Sequence, residues 1–514
     1  MLALSIVLRP ILVEVNIKDM LSDYQRYRFY EILPGLSIWL TLVIGILLSF
    51  FYPLVVIYAV IIFDVYWVLR VVYFSFYLIL SWTRFRKAVK TNWLFKLKND
   101  FPNWETKKNV VFLPLANEGY EVIAGTLQAF LNSSYPASQL YLVISGEARR
   151  QANWDKVQAK VKANFSGKFA DILYYTHPDN LLDEIPGKGS NIHHAELEFK
   201  KYVDIRQWNY LNVIISVFDV DTVVHPQYFA HLNYMYCLHP HPERSSFQPI
   251  TLYNNNMWES PSILRVMAFG TSFWMLFSLA RLDGLVTFSS HSMSLKAALE
   301  SGGHAKDIVS EDSRIFFQCW LHYGGNYSVT PLYIPVSMDT VRDESLFKSL
   351  KNLYLQQRRW AWGTENIPYL LWQFKKHPEI NWWKKTTILF HEWEGKWSWA
   401  VVSILLTLLG RLPLWVASSE VRQSALFFNA PHVLENLMSI ATFGLIFSAV
   451  ISMLILPPRP DSHPKYKYLF MLLQWMLVPV SLIIFSAIPC IDAVTHLMFG
   501  KYLGFNVSVK KRAV

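Results

Sequence analysis

The chain has 514 residues, of which 53% are apolar and 16% aromatic, and its formal net charge is +10. It is too long for one hydrophobic core, so two or three structural units are expected. The basic residues form no long run, which argues against a nucleic-acid-binding arm, whereas scattered basic residues beside apolar blocks fit a protein held against anionic lipid. The cysteines at 237, 319 and 490 are far apart and form no CxxC pair, which disfavours a disulfide framework and indicates a reducing compartment.

The first apolar block covers residues 35–80 and is about twice as long as one bilayer crossing requires. Pro53 divides this block into two predicted transmembrane helices. The basic segment RFRKAVK (84–90) follows at once, so the positive-inside rule predicts that this end and the N-terminal segment are both cytoplasmic. The start of the chain lacks a basic region and a cleavage site, so we expect no secretory signal. Arg70 is predicted to snorkel to the membrane interface.

The central part of the chain has the composition of a globular domain, with short β-rich runs that alternate with helical spacing. The runs that we predict as strands are 109–116, 139–146, 170–176 and 211–221. Strands that alternate with helices predict a parallel α/β sheet. Such sheets bind ligands at the carboxyl ends of their strands, so we expect the functional residues there.

Three further apolar blocks follow the globular part, at about 398–418, 432–456 and 467–489. With the first two helices they would give five spans, which would place the basic tail VKKR (509–512) on the outer side, against the positive-inside rule. Pro479 and Pro489 interrupt the last block. We therefore expect this block to double back and to return the C-terminus to the cytoplasm.

The segment FDVD (218–221) contains two carboxylates, Asp219 and Asp221, just after a predicted strand. Two carboxylates at a strand end can hold a hard divalent cation that bridges phosphate oxygens. A solvated turn explains the same pair of residues. The apolar run before them favours the metal site, because it directs the pair to the end of the sheet.

The segment SED (310–312) places Glu311 and Asp312 just before an apolar helical pattern. Carboxylates at a helix N-terminus are stabilised by free N–H groups and by the helix dipole, so a cap is one explanation. The other is that Asp312 acts as a general base that takes a proton from a sugar hydroxyl. The segment alone does not decide between them.

The segment LQQRRWAWG (355–363) precedes the C-terminal apolar blocks. On a helix, Gln356, Arg359 and Trp360 share one face. The planar guanidinium of arginine matches phosphate, and an indole offers a flat apolar face to a sugar ring. The alternative is an interfacial amphipathic helix with snorkelling arginines and interfacial tryptophans.

The order and spacing of these motifs, from about 109 to 363, resemble the membrane-embedded family 2 glycosyltransferases, which include the cellulose, hyaluronan, chitin and β-mannan synthases. The resemblance implies an α/β fold in which a GT-A-like, Rossmann-type nucleotide-sugar domain is inserted between transmembrane helices. The implied units are a cytoplasmic N-terminal segment (1–34), two transmembrane helices (35–82), the cytoplasmic catalytic domain (83–350), the QxxRW and interfacial helices (351–395), three or four transmembrane or re-entrant helices (396–500) and a C-terminal tail (501–514).

The resemblance also implies a role for each residue that matches a motif of the family. The metal ligands for Mg²⁺ or Mn²⁺ are Asp219 and Asp221, the catalytic residues are Asp312 and Glu311, the residues that contact the nucleotide-sugar are Asn117, Glu118, Glu147, Lys188, Asn191 and Arg359, and those that contact the acceptor are Gln356 and Trp360. Here Asn117 and Glu118 come from FLPLANEG, and Lys188 and Asn191 come from PGKGSNIHHA.

The chain departs from the family pattern in two segments. ISGEARR offers only Glu147 where the family has one or two aspartates, which leaves the nucleotide open. TFSSHSMS (287–294) replaces the family's acceptor loop and indicates an unusual acceptor. The unfamiliar segment FQPITLYNNNMWESP (247–261) either lines the acceptor groove through its asparagines and tryptophan or forms a turn.

The implied function is that of a membrane-bound inverting glycosyltransferase, a hexosyltransferase that moves a sugar from a nucleotide-sugar to a growing polysaccharide or glycan. One alternative is transfer of a single sugar to a lipid-phosphate carrier, and another is an inactive membrane-anchored sugar-binding subunit. The expected partners are a nucleotide-sugar donor, a glycan or lipid-linked acceptor and membrane lipid, with no nucleic acid. The expected location is the plasma membrane, with the catalytic domain cytoplasmic.

Overall fold

The structure, a computed structural model, describes residues 17–504, apart from the side chains at 17–21, 441 and 445. The basic tail at 509–512 lies outside the described residues. The strands within this range are β1 (Lys108–Pro114), β2 (Leu140–Glu147), β3 (Asp171–His177), β4 (Val213–Val217), β5 (Val223–Val224), β6 (Ser245–Leu252), β7 (Ser292–Ser294) and β8 (Ser328–Ser337).

The α-helices fall into membrane helices at both ends of the chain and domain helices between them. They are α1 (Ile17–Phe51), α2 (Pro53–Lys90), α3 (Trp93–Asp100), α4 (Tyr120–Leu131), α5 (Gln151–Phe165), α6 (Lys188–Ile205), α7 (Tyr228–Leu238), α8 (Ser262–Ala280), α9 (Leu295–Glu300), α10 (Glu311–His322), α11 (Leu346–Ala361), α12 (Asn366–Gln373), α13 (Trp382–Ile404), α14 (Leu412–Val416), α15 (Ser419–Arg422), α16 (Ala425–Ile455), α17 (Lys467–Leu473), α18 (Val478–Leu482) and α19 (Ile488–Met498).

The eight strands form one mixed sheet in the order β3-β2-β1-β4-β7-β6-β8-β5. Strands β1 to β4 are parallel, as the sequence predicted, whereas β7 runs antiparallel to both β4 and β6. The carboxyl ends of β1, β2 and β4 therefore lie at one edge of the sheet, which is where ligands bind in α/β folds. The predicted α/β fold class, with the sheet domain between apolar helices, is confirmed.

The sheet is covered on both faces, because successive residues of β1 point in opposite directions. Val110 and Phe112 face one core, which α6 closes with Phe199. Val111 and Leu113 face the other core, which is closed by α4, α5 and α7. Strands buried on both faces need continuous apolar runs, which explains the sequence NVVFLP in β1. The first of these cores also includes Trp475 from the membrane region, so it joins the domain to the membrane helices.

Six helical segments within the described range are long and apolar enough to cross a membrane, and the chain is an integral membrane protein. They are Ser22–Phe51, Pro53–Lys90, Ser262–Ala280, Trp382–Val416, Ala425–Ile455 and Lys467–Met498. The sequence analysis did not predict the third of them, which is α8. The most apolar window of α8 is 72% buried in protein, against at most 39% in the others, so protein rather than lipid covers most of it.

The first two membrane helices separate at Pro53, which is the first residue of α2. Proline suits the first position of a helix, because the backbone N–H that proline lacks would have no hydrogen-bond partner within the first turn. Arg70, which the sequence analysis predicts to snorkel to the interface, has a partner within the protein, because its Nη2 lies 3.0 Å from Oε1 of Glu394 on α13. A charged partner within the protein therefore replaces the lipid headgroup.

Both ends of the last apolar segment, 467–498, contact the domain. Lys467 Nζ donates to the carbonyl oxygen of Trp258 at 3.3 Å. At the other end, Asp492 Oδ2 accepts from the hydroxyl of Tyr354 on α11 at 2.8 Å. A segment that simply crossed the membrane would have only one end on the domain side.

The middle of the same segment lies deeper in the membrane region. The carbonyl oxygen of Leu482 is 3.4 Å from Oγ of Ser403, near the end of α13. The chain then returns along α1, where Thr495 accepts a hydrogen bond from Trp39. These contacts favour the predicted doubling back, with four complete crossings and an even number of spans.

We expect the last described residues to lie on the same side of the membrane as the catalytic domain. The experiment uses sealed vesicles, a membrane-impermeant maleimide and variants with one introduced cysteine each in a Cys237→Ser background. Lys501→Cys should react only from the side of the membrane from which Lys160→Cys, in the catalytic domain, also reacts. Tyr52→Cys, at the exposed turn between α1 and α2, should react from the opposite side. Labelling of Lys501→Cys together with Tyr52→Cys would instead mean that segment 467–498 crosses the membrane.

Candidate active site

A cavity of about 1310 Å³ opens at the carboxyl ends of β1, β2 and β4. It collects every candidate site residue from the sequence except Asp221. The candidates that line it are Asn117, Glu118, Glu147, Lys188, Asn191, Asp219, Glu311, Asp312, Gln356, Arg359 and Trp360. Residues from segments that are far apart in the sequence therefore meet in one cavity.

The ammonium group of Lys188 joins three of these segments. Its Nζ lies 3.0 Å from Oδ1 of Asp219, 3.0 Å from both carboxylate oxygens of Asp312 and 3.5 Å from Oε1 of Glu311. Lys188 is the first residue of α6, and the next residue must be glycine. A Cβ on Gly189 would lie 2.5 Å from the carbonyl oxygen of Ala305, so only glycine allows α6 to approach the segment before α10.

This cluster has more negative than positive charge. Burial alone would lower the pKa of Lys188, but the carboxylates of Asp219, Asp312 and Glu311 outweigh burial and raise it, so the ammonium stays charged. Burial and, to a lesser extent, the adjacent Asp312 raise the pKa of Glu311 to about 7, against the opposing effect of Lys188. The two neighbouring carboxyl groups at the start of α10 therefore have different environments.

The two aspartates of the DxD segment lie in different surroundings. Asp219 is partly exposed to the cavity and pairs with Lys188. Asp221 is fully buried, and its Oδ2 accepts a hydrogen bond from the backbone N–H of Asp339 at 2.9 Å. Only Asp219 presents its carboxylate to the cavity. Within residues 17–504, no group of three or more His, Cys, Asp or Glu side chains is arranged to hold a metal ion.

The loop after β1 is ordered by one of its own carboxylates. Oε2 of Glu118 accepts hydrogen bonds from the backbone N–H groups of Ala116 and Asn117, at 2.8 and 3.0 Å. Such local bonds satisfy backbone donors that the end of the strand leaves without partners. Glu118 therefore shapes the loop that borders the cavity.

The carboxylate after β2 is part of a buried network. Oε1 of Glu147 accepts from Nδ2 of Asn191 on α6 at 2.9 Å. Its Oε2 lies 2.8 Å from a guanidinium nitrogen of Arg149 and 3.2 Å from Nδ1 of His177. Both oxygens of Glu147 are therefore engaged within the protein, and its ion-pair partner Arg149 also lines the cavity.

The QxxRW segment lies on α11, as its spacing predicts. Gln356, Arg359 and Trp360 all reach the cavity from one face of this helix. The ring of Trp360 lies 5.7 Å from the ring of Tyr253, which follows β6. The positive charge of Arg359 also acts on Glu311, whose pKa it lowers. A guanidinium group and aromatic rings thus lie next to the carboxylate cluster.

The sequence analysis missed several lining residues and placed others wrongly. Thr251 and Tyr253 line the cavity, but the asparagines of the same segment do not. Asn256 instead accepts hydrogen bonds from the backbone N–H and the hydroxyl of Thr340, both at 2.7 Å. The asparagines therefore form a turn, which was the other interpretation of this segment. The alternation of side-chain directions along β6 is the sequence pattern that could have indicated Thr251 and Tyr253 as lining residues.

The cavity continues from the carboxylate cluster into the membrane region. There its walls come from α2, α8, α13 and the segment 475–486, and they are rich in aromatic and hydroxyl side chains. They include Trp67, Tyr73, Thr271, Trp274, Ser398, Trp399, Ser403, Ser481 and Ser486. The ionisable residues in this part include Arg70, Glu392, Glu394 and Lys396.

Comparisons with known proteins gave one family and several distant structures. No curated protein matched the chain. The mannosyltransferase PcManGT from Pyrobaculum calidifontis, solved with GDP-Man and Mn²⁺, is 12% identical over 72% of this chain and 99% of that chain, with a TM-score of 0.40. Residues 1–349 of TarS from S. aureus, solved with UDP-GlcNAc, are 11% identical over 65% of this chain and 90% of that chain, with a TM-score of 0.31.

The family comparison covers more than half of the chain. The model of the family described as glycosyl transferase family group 2 matches residues 214–499. The matched range includes Asp219, the start of α10, the QxxRW face of α11 and the C-terminal membrane helices. This chain therefore belongs to glycosyl transferase family group 2.

Proposed function

We propose that this glycosyltransferase moves one hexose at a time from a nucleoside-diphosphate sugar to a growing glycan, with inversion at the anomeric carbon. The donor binds at the carboxyl ends of β1, β2 and β4. The acceptor enters from the part of the cavity that lies between the membrane helices. The enzyme lies in the plasma membrane, and its catalytic domain faces the cytoplasm.

The contacts of Lys188 carry this proposal. One ammonium group lies within 3.5 Å of carboxylates from the DxD and SED segments, and the cavity around it also receives Arg359. A diphosphate needs fixed cations, and a sugar hydroxyl needs a base close to the anomeric carbon. Both kinds of group are present within one cavity.

On the donor side, Lys188 and Arg359 bind the diphosphate and stabilise the charge that grows on it as the glycosidic bond breaks. The site also suits Mg²⁺ or Mn²⁺, because Asp219 offers a hard oxygen ligand within a cluster rich in carboxylates. Such ions typically bind through one or two protein carboxylates together with the phosphates of the substrate. When bound, the ion would neutralise part of the diphosphate charge. Asp221, which is buried and accepts a hydrogen bond from the backbone N–H of Asp339, would hold the segment that carries Asp219 in place.

On the acceptor side, Asp312 is the general base. Nζ of Lys188 lies 3.0 Å from both of its oxygens and so orients this carboxyl group. Glu311, whose pKa is raised to about 7 chiefly by burial, keeps its proton more readily than an exposed glutamate and is therefore the poorer candidate for the base. With Asp312 as the base, the acceptor hydroxyl attacks the anomeric carbon directly as the nucleoside diphosphate leaves, and this single displacement inverts the anomeric centre.

The membrane part of the cavity supports a glycan as the acceptor. Its tryptophans offer stacking faces for sugar rings, and its serines offer hydrogen bonds at positions where lipid could provide none. Lys396, which lies in the same part of the cavity, favours the second candidate function, in which the acceptor is a lipid phosphate that receives one sugar. The two candidates share the donor site and differ in the length of the product.

We expect Asp312→Asn to lower turnover by about 10²–10⁴-fold, because the base is lost, while donor binding persists. Glu311→Gln is the matched control on the adjacent residue. Because glutamine resembles the protonated carboxyl group, we expect its turnover within about threefold of the native enzyme. Radiolabelled sugar transfer and donor titration measure the two effects. Native turnover in Asp312→Asn would exclude Asp312 as the base.

The raised pKa of Glu311 also predicts how stability depends on pH. The folded protein retains the Glu311 proton up to about pH 7, whereas the unfolded chain releases it near the ordinary value of 4.5, so the stability contributed by this residue falls as pH rises between the two values. Glutamine does not titrate. The thermal midpoint of Glu311→Gln should therefore exceed that of the native protein by more at about pH 8 than at about pH 5. A difference that is independent of pH would contradict the assignment.

A radiolabelled donor separates the remaining functions. The donor is first identified by thermal shift with nucleoside-diphosphate sugars and Mn²⁺, because a bound donor stabilises the folded state by mass action. With that donor, membranes that contain the protein should yield a ladder of products. A single lipid-linked band would instead establish the lipid-phosphate function. The absence of both transfer and donor hydrolysis would establish an inactive sugar-binding subunit.

A further inference from the structure

Three fully buried ionisable side chains form a chain of contacts behind the catalytic aspartate. Nδ1 of His304 lies 2.7 Å from Oε1 of Glu196 on α6, and Nε2 of His304 lies 3.2 Å from Nε2 of His291. We refer to Glu196, His304 and His291 as the buried histidine chain. None of the motifs in the sequence analysis includes these residues, apart from the TFSSHSMS segment that contains His291.

The hydrogen-bond partners determine how many protons the two rings hold. Nδ1 of His304 faces a carboxylate and Nδ1 of His291 faces the carbonyl oxygen of Phe288 at 2.9 Å, so both Nδ1 atoms must carry a proton. If both rings were neutral, two Nε2 lone pairs would face each other at 3.2 Å. The contact is favourable only if one additional proton lies between them, which makes one of the rings an imidazolium.

The surroundings indicate which ring carries the charge. The carboxylate of Glu196 raises the pKa of His304 against the effect of burial, and it also accepts from the backbone N–H of His304 at 2.9 Å. Burial and, to a lesser extent, the neighbouring His304 lower the pKa of His291 to about 4. The imidazolium is therefore His304, which donates through Nε2 to a neutral His291.

The other charged groups near the two rings act on both of them. Asp312 and Glu311 raise the pKa of His304. For His291, Asp312 acts to raise the pKa and Lys188 acts to lower it, and the net result remains a lowered pKa because burial and His304 dominate. His193 donates to the carbonyl oxygen of His304 at 3.0 Å. The two rings alone do not form a metal site, because no third ligand completes one within the described part of the chain.

The buried histidine chain reaches Asp312 through residues 287–291. Nδ1 of His291 lies 3.8 Å from Oδ1 of Asp312. At the start of the same segment, the hydroxyl of Thr287 donates to the backbone carbonyl oxygen of Asp312 at 2.5 Å. The segment therefore contacts Asp312 at its backbone and faces its carboxylate with an N–H group.

The backbone just before His291 is strained. Ser290 has a φ of 68° although it is not glycine, and it is fully buried. Its hydroxyl has no hydrogen-bond partner among the residues that the structure describes. A buried residue keeps such a conformation only when its surroundings require it, and this conformation directs His291 toward both His304 and Asp312.

We propose that the buried histidine chain is a set of positioning residues that hold a fixed positive charge behind Asp312 and keep its carboxylate ionised and oriented toward the acceptor. This inference rests on the proposed function, in which Asp312 is the base. The proton between the two rings stays in place during the reaction. The proton from the acceptor hydroxyl goes to Asp312, on the opposite side.

The first experiment measures the protonation directly and needs no substrate. Solid-state ¹⁵N NMR of histidine-labelled protein in lipid bilayers should show an imidazolium ring at about pH 8, where ordinary histidines are neutral. The imidazolium signal should lose the intensity of one ring in His304→Gln and in Glu196→Gln, and it should keep that intensity in His322→Gln, whose side chain is exposed on α10. Any remaining imidazolium intensity is assigned to His177, whose ring nitrogens lie 3.2 and 3.0 Å from carboxylate oxygens of Glu147 and Glu184. An all-neutral spectrum of the native protein would overturn the proposal, and so would zinc bound at one equivalent per chain by elemental analysis.

The second experiment asks whether this charge acts on the base. In His304→Gln and His291→Gln, the acidic limb of the kcat profile should move up by roughly one pH unit, as expected for the loss of one nearby buried cation, so that kcat falls about tenfold at a pH on that limb. At pH values above the limb, kcat and the donor KM should be unchanged. His322→Gln should leave the whole profile unchanged. A pH-independent loss of kcat would mean that the chain is only structural and would overturn the proposal.

The two experiments separate the inference from the proposed function. If the native protein transfers no sugar from any donor, the proposed function fails and the assigned role of the chain fails with it, while the NMR spectrum still decides the protonation state. If transfer depends on Asp312 but the kcat profile of His304→Gln matches the native profile, the proposed function stands and only the inference is wrong.

Discussion

The site depends on one buried ammonium group among three carboxylates. Lys188 neutralises only part of the charge of Asp219, Glu311 and Asp312, so the cluster attracts a further cation and still leaves one carboxylate able to accept a proton. Removal of the Lys188 ammonium group from this cluster would leave the carboxylates without compensation, and loss of one partner of a buried ion pair typically costs about 3–5 kcal/mol. The same contacts bring together the N-terminus of α6, the end of β4 and the start of α10.

The carboxylates around this group differ because their environments differ. Glu311 is almost completely buried, so its carboxyl pKa rises, whereas Asp312 is partly exposed to the cavity and lies beside Lys188. Behind Asp312, the buried histidine chain places a second positive charge, compensated by Glu196, where water cannot screen it. The chemistry that we propose follows from these differences in burial rather than from the residue types alone.

The membrane helices complete the cavity. Segment 467–498 touches the domain near Trp258 and again at α11, and between these contacts it reaches the level of Ser403 on α13. It therefore closes one side of the cavity and also binds the QxxRW helix through Asp492. Charged residues at membrane depth, such as Arg70 and Glu394, are tolerated because they pair within the protein.

The sequence by itself determined the α/β class, the strands β1 to β4 and the helical face of Gln356, Arg359 and Trp360, because hydrophobic periodicity and helical spacing are local properties. Tertiary structure alone decided that Asp219 rather than Asp221 faces the cavity, that Arg70 pairs with Glu394 and that α8 is covered by protein. It also brought His291 and His304 together, thirteen residues apart in sequence. These outcomes depend on which side chains meet across elements, and no pattern along a single chain specifies such contacts.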